Sequence, residues 1–219
     1  MDNGIILIDK PDHMTSFGVV ARVRRVLSKQ FGKKIKVGHT GTLDPFATGL
    51  MIIVTGKECR NASNYSKLDK IYETKIVLGK TSTTGDTEGE ITDISDKVPT
   101  KADIVTALEK FKGEITQIPP IFSAIKIDGQ RAYDLARKGK TVDMPARQVT
   151  VFELEMIDYE YPYLTLKAHV SSGTYIRTLA EDIGKELSTG AYCVELRRIK
   201  IADWDISQAI TLKSLGIVD

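Results

Sequence analysis

The chain has 219 residues and 24.2 kDa, which at roughly 150 residues per domain fits one sizeable domain with its own core, or one domain with a small appendage. Its 42% hydrophobic and 27% charged residues match soluble globular chains and exclude the disordered, fibrous and low-complexity classes. With 31 basic and 29 acidic side chains the formal charge is only +2, a sum that by itself does not point to nucleic acid.

In chain order, Gly4–Ile8 is a short apolar run bounded by turn residues and predicts a buried strand. Thr15 or Ser16 can cap a helix carrying Phe17, Val19, Val20, Val23, Val26 and Leu27 at helical spacing. Leu50–Val54 predicts a second buried strand. From Ile71 to Gly79 the pattern alternates, with Tyr72, Thr74, Ile76 and Leu78 on one face and Glu73 and Lys75 on the other. Thr100–Asp103 spells a capping box ahead of Ile104, Val105, Leu108 and Phe111. Strands are expected over Val149–Tyr159, Tyr163–Val170 and Val194–Ile201. Between the last two, Thr174–Leu187 reads as a helix with Ile176, Leu179, Ala180, Ile183 and Leu187 on one stripe, and Gly190 is available to end it. Strands outnumber helices and often follow one another, so an α+β domain on a mixed, mostly antiparallel sheet is expected.

Cys59 and Cys193 are the only cysteines, too few for a disulfide scaffold or a Cys-rich zinc site, and both read as small hydrophobes. His13, His39 and His169 have no ligand spacing, so a metal enzyme is not expected. No run approaches the ~18 apolar residues of a membrane span. The opening Met1-Asp-Asn-Gly lacks the basic start of a signal peptide, so the chain is expected to be soluble and cytoplasmic. On that reading Asn61-Ala-Ser and Asn64-Tyr-Ser are chance glycosylation spellings.

Charge is unevenly spread. Arg22–Lys36 holds seven basic residues and no acid, and Phe122–Val149 holds six basic against three acidic residues. Asp86–Glu114 has eight acids and four bases. Such runs are usually solvated faces. Two basic blocks offset by an acidic one also fit an electropositive working face.

Gly38-His-Thr-Gly-Thr-Leu-Asp-Pro-Phe-Ala-Thr-Gly49 is the most unusual stretch. Its glycines and Asp44-Pro45 predict a shaped loop docked against the strand that follows. An ordinary Asp turn is the plainer reading of composition alone. Phosphate-loop spellings fail: Thr74 stands where the first glycine before Gly79-Lys-Thr belongs, and Gly49 is too far from Gly56-Lys57. No nucleophile elbow accompanies His39 and Asp44.

That stretch resembles the catalytic-aspartate motif of the TruB family of pseudouridine synthases. Leu7-Ile-Asp-Lys-Pro11 is similar to the family's lysine-proline motif, and Lys70-Ile-Tyr72-Glu to its aromatic strand. Ile118-Pro-Pro-Ile-Phe-Ser-Ala-Ile-Lys126 resembles its RNA-gripping insertion. Ser172–Leu179 and Glu195-Leu-Arg-Arg198 resemble two later active-site motifs. The six motifs keep the family's order from about Gly4 to Leu215.

The resemblance implies the pseudouridine synthase fold over 1–219 as a single catalytic domain. It places an RNA-binding insertion at about 122–149 and no C-terminal PUA domain. It implies conversion of uridine to pseudouridine in the T-loop of tRNA, at position 55, with no cofactor and no metal. Asp44 would be the residue acting at the sugar, by attack on C1′ or by proton removal from C2′, with Arg177 as its cation. Tyr72 would stack on the uracil and handle the C5 proton. Tyr175 and Leu196 would wall the base pocket, and His39 would fill the space left by the flipped nucleotide. Lys10 and Arg60 are expected in support, Arg60 standing where a lysine is expected in relatives. Lys126, Arg131, Arg137, Lys138, Lys140 and Arg147 are expected to meet the RNA backbone. A monomer acting on the tRNA T-arm, without membrane association, is the expectation. A tRNA-folding chaperone and a guide-RNA-dependent synthase subunit are the alternatives.

Overall fold

A computed structural model describes residues 2–123, 125–127, 129–132, 135 and 143–217, without the side chains of Lys126 and Arg131. In chain order come β1 (Gly4–Lys10), α1 (Ser16–Phe31), β2 (Val37–His39) and β3 (Thr48–Thr55). A 3₁₀ turn (Gly56–Asn61), α2 (Ala62–Ser66), β4 (Lys70–Leu78), β5 (Lys80–Ser82) and β6 (Ile91–Asp93) follow. Then come α3 (Lys101–Glu109), β7 (Gly113–Gln117), β8 (Lys126–Ile127), β9 (Gln130–Arg131), β10 (Arg147–Glu160) and β11 (Tyr163–Val170). The last elements are α4 (Ile176–Glu186), β12 (Ala191–Ile201), β13 (Trp204–Asp205) and β14 (Ile210–Thr211). The class is α+β, with parallel β1·β14 and β3·β12 pairs beside antiparallel β1·β3, β7·β10 and β10·β11 pairs.

The chain divides into two compact units: Met1–Tyr72 with Leu196–Asp219, and Glu73–Glu195. In the first, strand order is β14-β1-β3-β12, with β2 on β3 and β13 on β12. The apolar runs predicted as strands pair along their full length, Gly4 opposite Thr55 through Lys10 opposite Gly49. Leu50, Ile52, Val54 and Ile201 make a buried cluster under Leu7, Leu68 and Trp204. The α1 helix is capped by Thr15, whose side chain accepts from the Gly18 N–H. It buries Val19, Val20, Val23 and Leu27, while Phe17, expected on the apolar stripe, is 65% exposed under the Arg24 guanidinium. Phe17 occupies the first turn, at the edge of the stripe that Val19, Val20, Val23 and Leu27 bury.

In the second unit the order runs β11-β10-β7, with β4 contributing its residues from Glu73 onward. The predicted capping box forms at Thr100 and Asp103, and α3 packs on β10 and α4 through Ile104, Ala107 and Leu108. Val105 lies outside that stripe and is exposed. All five stripe residues predicted for α4 are buried. At the end of the segment 122–149, Arg147, Gln148 and Val149 belong to β10, in register with Gln117, Thr116 and Ile115 of β7. Ladder hydrogen bonds to β7, not loop chemistry, fix those three residues.

Candidate active site

Residues 40–47 join β2 to β3 and carry Asp44. Leu43, Phe46 and Ala47 are buried anchors on either side of the half-buried aspartate. The backbone around it is held by side chains from three elements. The Ser16 hydroxyl, buried at the start of α1, donates to the Leu43 carbonyl at 2.9 Å and accepts the Leu43 N–H at 2.8 Å. Lys10 Nζ donates to the Pro45 carbonyl at 3.0 Å, and to those of Pro11 (2.8 Å) and Met14 (2.6 Å). Arg198 Nη2 donates to Gly41 at 3.2 Å while its Nε donates to Leu50 at 2.7 Å. The Ala47 N–H closes a turn on the Asp44 carbonyl at 3.1 Å. A catalytic group gains from such fixation because each degree of freedom removed in advance lowers the barrier.

The electrostatics of this unit are unusual. Lys10 is 0% and Arg198 1% exposed, and both donate to backbone carbonyls. Burial lowers the Lys10 ammonium to about 8, opposed by the Asp12 and Asp44 carboxylates. Burial, helped by Arg198, lowers Lys70 to about 8 as well; its Nζ donates to Ser66 and Leu68 carbonyls. A carboxylate beside buried cations is favoured in its ionised form.

Tyr72 and Leu196 are buried, His39 is half-buried opposite Ile53, and Arg60 is exposed on the 3₁₀ turn. Lys10 is thus brought onto the Asp44 loop, whereas Arg60 stands on a separate turn.

In the second unit Arg177 is only 4% exposed, unlike an ordinary surface residue in the first turn of a helix. Its Nη1 pairs with Asp86 at 2.9 Å and donates to the Thr84 carbonyl at 2.8 Å; Nη2 donates to Phe122 at 2.8 Å. Asp86 in turn accepts from Thr84 Oγ1 and the Glu88 N–H. Tyr175 caps α4, with Gln117 bonded to both its backbone groups, and the Arg147 guanidinium lies 6.0 Å from its ring centre. Arg137, Lys138 and Lys140, expected to meet RNA, lie outside the described residues, as do the side chains of Lys126 and Arg131.

Sequence reasoning passes over Ser16, Asp86, Gln117 and Arg198. Arg198 stands inside the Glu195–Arg198 motif, two places from Leu196. Asp86 carries no local signal, because its partner is 91 residues away and its neighbours read as a solvated acidic run. Among the described residues no group of acids, histidines and cysteines forms a metal-holding cluster.

The family described as TruB family pseudouridylate synthase (N terminal domain) matches residues 24–176. The tRNA pseudouridylate synthase B C-terminal domain matches residues 177–217. The tRNA pseudouridine synthase B of Histophilus somni (strain 2336) is 42% identical over 213 residues, 97% of this chain and 68% of that protein. That of Pseudomonas fluorescens Pf-5 is 44% identical over 216 residues, 99% of this chain and 69% of the relative. Among solved structures, the chain matched in a Cbf5-Nop10-Gar1 complex has a TM-score of 0.74 and 29% identity, over 97% of this chain and 53% of its own. One in an H/ACA RNP bound to a substrate RNA containing 2′-deoxyuridine has 0.71 and 26%, over 100% and 57%. This chain therefore spans little more than half the length of those solved chains, and about two thirds of the curated relatives. The match by family, order of motifs and fold leads to one conclusion: the chain belongs to the TruB family of pseudouridine synthases.

Proposed function

We propose that the protein converts a uridine of tRNA to pseudouridine, at the T-loop position 55, with Asp44 as the residue that acts at the sugar. The reaction is an isomerisation. The N1–C1′ bond breaks, the base turns, and C5 bonds to C1′; one proton leaves C5 and one arrives at N1. The atoms balance with no oxidation, so no co-reactant or cofactor is required. The observation that carries this reading is the backbone of the Asp44 loop, held by Lys10 of the lysine-proline motif, by Arg198 of the Glu195–Arg198 motif and by Ser16.

Ionised Asp44 attacks C1′ or takes the C2′ proton. Tyr72 stacks on the uracil and handles the C5 proton, and Arg177, oriented by Asp86, serves as the fixed cation of that chemistry. Tyr175 and Leu196 hold the flipped base, His39 fills the vacated space, and Lys10 and Arg60 support the loop and the RNA. Lys126, Arg131, Arg137, Lys138, Lys140 and Arg147 meet phosphates of the T-arm. A cytoplasmic monomer fits this work. Asp44→Asn is expected to abolish conversion while RNA still binds; a normal rate in that variant would remove the assignment. A pure tRNA chaperone would keep its function in the same variant.

A second reading, a subunit that needs guide RNA, draws on the likeness to chains solved in a Cbf5-Nop10-Gar1 complex and in an H/ACA RNP. The higher identity to tRNA pseudouridine synthase B, 42–44% against 26–29%, supports the stand-alone enzyme. Conversion of a bare T-arm stem-loop by the isolated chain separates the two.

A further inference from the structure

Gln117 ends β7 wholly buried, at 0% exposure, and has no part in the chemistry above. A buried primary amide is costly unless its donor and acceptor are both used. Here both are used on one residue. Oε1 accepts the Tyr175 N–H at 3.0 Å, and Nε2 donates to the Tyr175 carbonyl at 3.3 Å. This reciprocal pair is the pattern of two opposed strand residues, made by a side chain. It also fixes which end of the amide is oxygen, since the flipped amide would set donor against donor.

The clamp is one side of a closed triangle. Gln117 is the register partner of Arg147 across β7·β10, and Arg147 lies over the Tyr175 ring at 6.0 Å from its centre. The Tyr175 carbonyl also accepts the first α4 bond, from the Leu179 N–H at 3.0 Å. Backbone, ring and guanidinium are therefore set by one another before any ligand arrives.

An aromatic face with an adjoining guanidinium matches a single-stranded nucleotide, the face taking the base and the cation the phosphate. We propose that Gln117 is a positioning residue for RNA binding: it holds Tyr175 as a ready stacking face and, through that ring, Arg147 as a phosphate contact. This rests on the reading that Tyr175 meets the substrate nucleotide. Pre-organisation removes an ordering cost from binding, so its loss falls on affinity rather than on the chemical step.

The test is a double-mutant cycle in the full chain, read by kinetics on a T-arm stem-loop. Gln117→Met keeps length and removes both hydrogen bonds. KM is expected to rise about tenfold, within the range a lost base stack covers, with kcat at saturating RNA nearly unchanged. Combined with Tyr175→Ala, Gln117→Met should add nothing, because it acts through that ring. An unchanged KM in folded Gln117→Met, a loss confined to kcat, or effects that multiply in the double variant would overturn the proposal. If Gln117→Met does not fold, Gln117→Asn, polar but too short to reach both groups, must show the same rise in KM; a normal KM there overturns it equally. Asp44→Asn is assayed alongside. Activity in that variant defeats the proposed reaction, whereas an inactive Asp44→Asn beside a normal Gln117 variant defeats this inference alone.

Discussion

Lys10 sits at the lysine-proline motif with no exposed surface, and its ammonium is lowered from 10.5 to about 8 chiefly by burial. Below about 8 both folded and unfolded chains carry that proton, and the folded state bears the full penalty of a buried charge. Between about 8 and 10.5 the unfolded chain binds more protons than the folded one, so the Lys10 contribution to stability rises with pH. Relative to Lys10→Met, the wild type should gain on the order of 1–3 kcal/mol between about pH 7 and about pH 10 in urea unfolding. A parallel pH profile for the two proteins would contradict the burial argument. The Arg177–Asp86 pair makes a second residue-scale prediction. Both side chains are 4% exposed, so removing one partner leaves a buried charge. Asp86→Ala should cost about 3–5 kcal/mol, and adding Arg177→Met should recover much of it. Stability is expected to return in the double variant without activity. Equal stability of Asp86→Ala and wild type would show that water reaches the pair.

Among the elements, β3 is where sequence and site meet. Lys10, Gly49 and Arg198 are register neighbours across β1, β3 and β12, so a glycine separates two buried cations. Gly49 has φ +104°, and a Cβ there would collide with the Arg198 backbone. Gly49→Ala combines a strained backbone with a steric clash and should destabilise by about 3 kcal/mol or more. A urea midpoint like that of the wild type would mean the strands can part without cost. Much of this architecture is legible in the sequence because it is local: the Leu50–Val54 run, the alternation after Ile71, the Thr100 box and the α4 stripe each follow from a short period. The Asp44 loop is legible as a motif. Its supports are not, because Ser16 meets Leu43 27 residues on and Arg198 meets Gly41 across 157. Polar side chains that bond to distant backbone leave no periodic trace, and Gln117 escapes notice for the same reason. Phe17 and Val105 mislead in the opposite sense, since apolar residues beside a stripe count toward it until the packing is known.

At the scale of the whole molecule, the small net charge conceals segregation. Arg25, Lys29, Lys33, Lys34 and Lys36 are exposed along and beyond α1. Of the acidic run, Glu88, Glu90, Asp93, Asp96, Asp103, Glu109 and Glu114 are exposed, and only Asp86 turns inward to Arg177. RNA affinity should therefore fall steeply with salt. Neutralising Arg137, Lys138 and Lys140 should weaken binding at low salt and flatten the salt slope by about 0.7–0.9 for each phosphate that no longer meets a cation. A drop in affinity that does not change with salt would indicate damaged folding instead. Asp44-dependent isomerisation of a tRNA uridine is decided by mapping pseudouridine in tRNA incubated with wild type and with Asp44→Asn. Pseudouridine is expected at the T-loop position with the wild type and none with the variant, which still binds the RNA; pseudouridine formed equally by both proteins, or by neither, would exclude that role of Asp44.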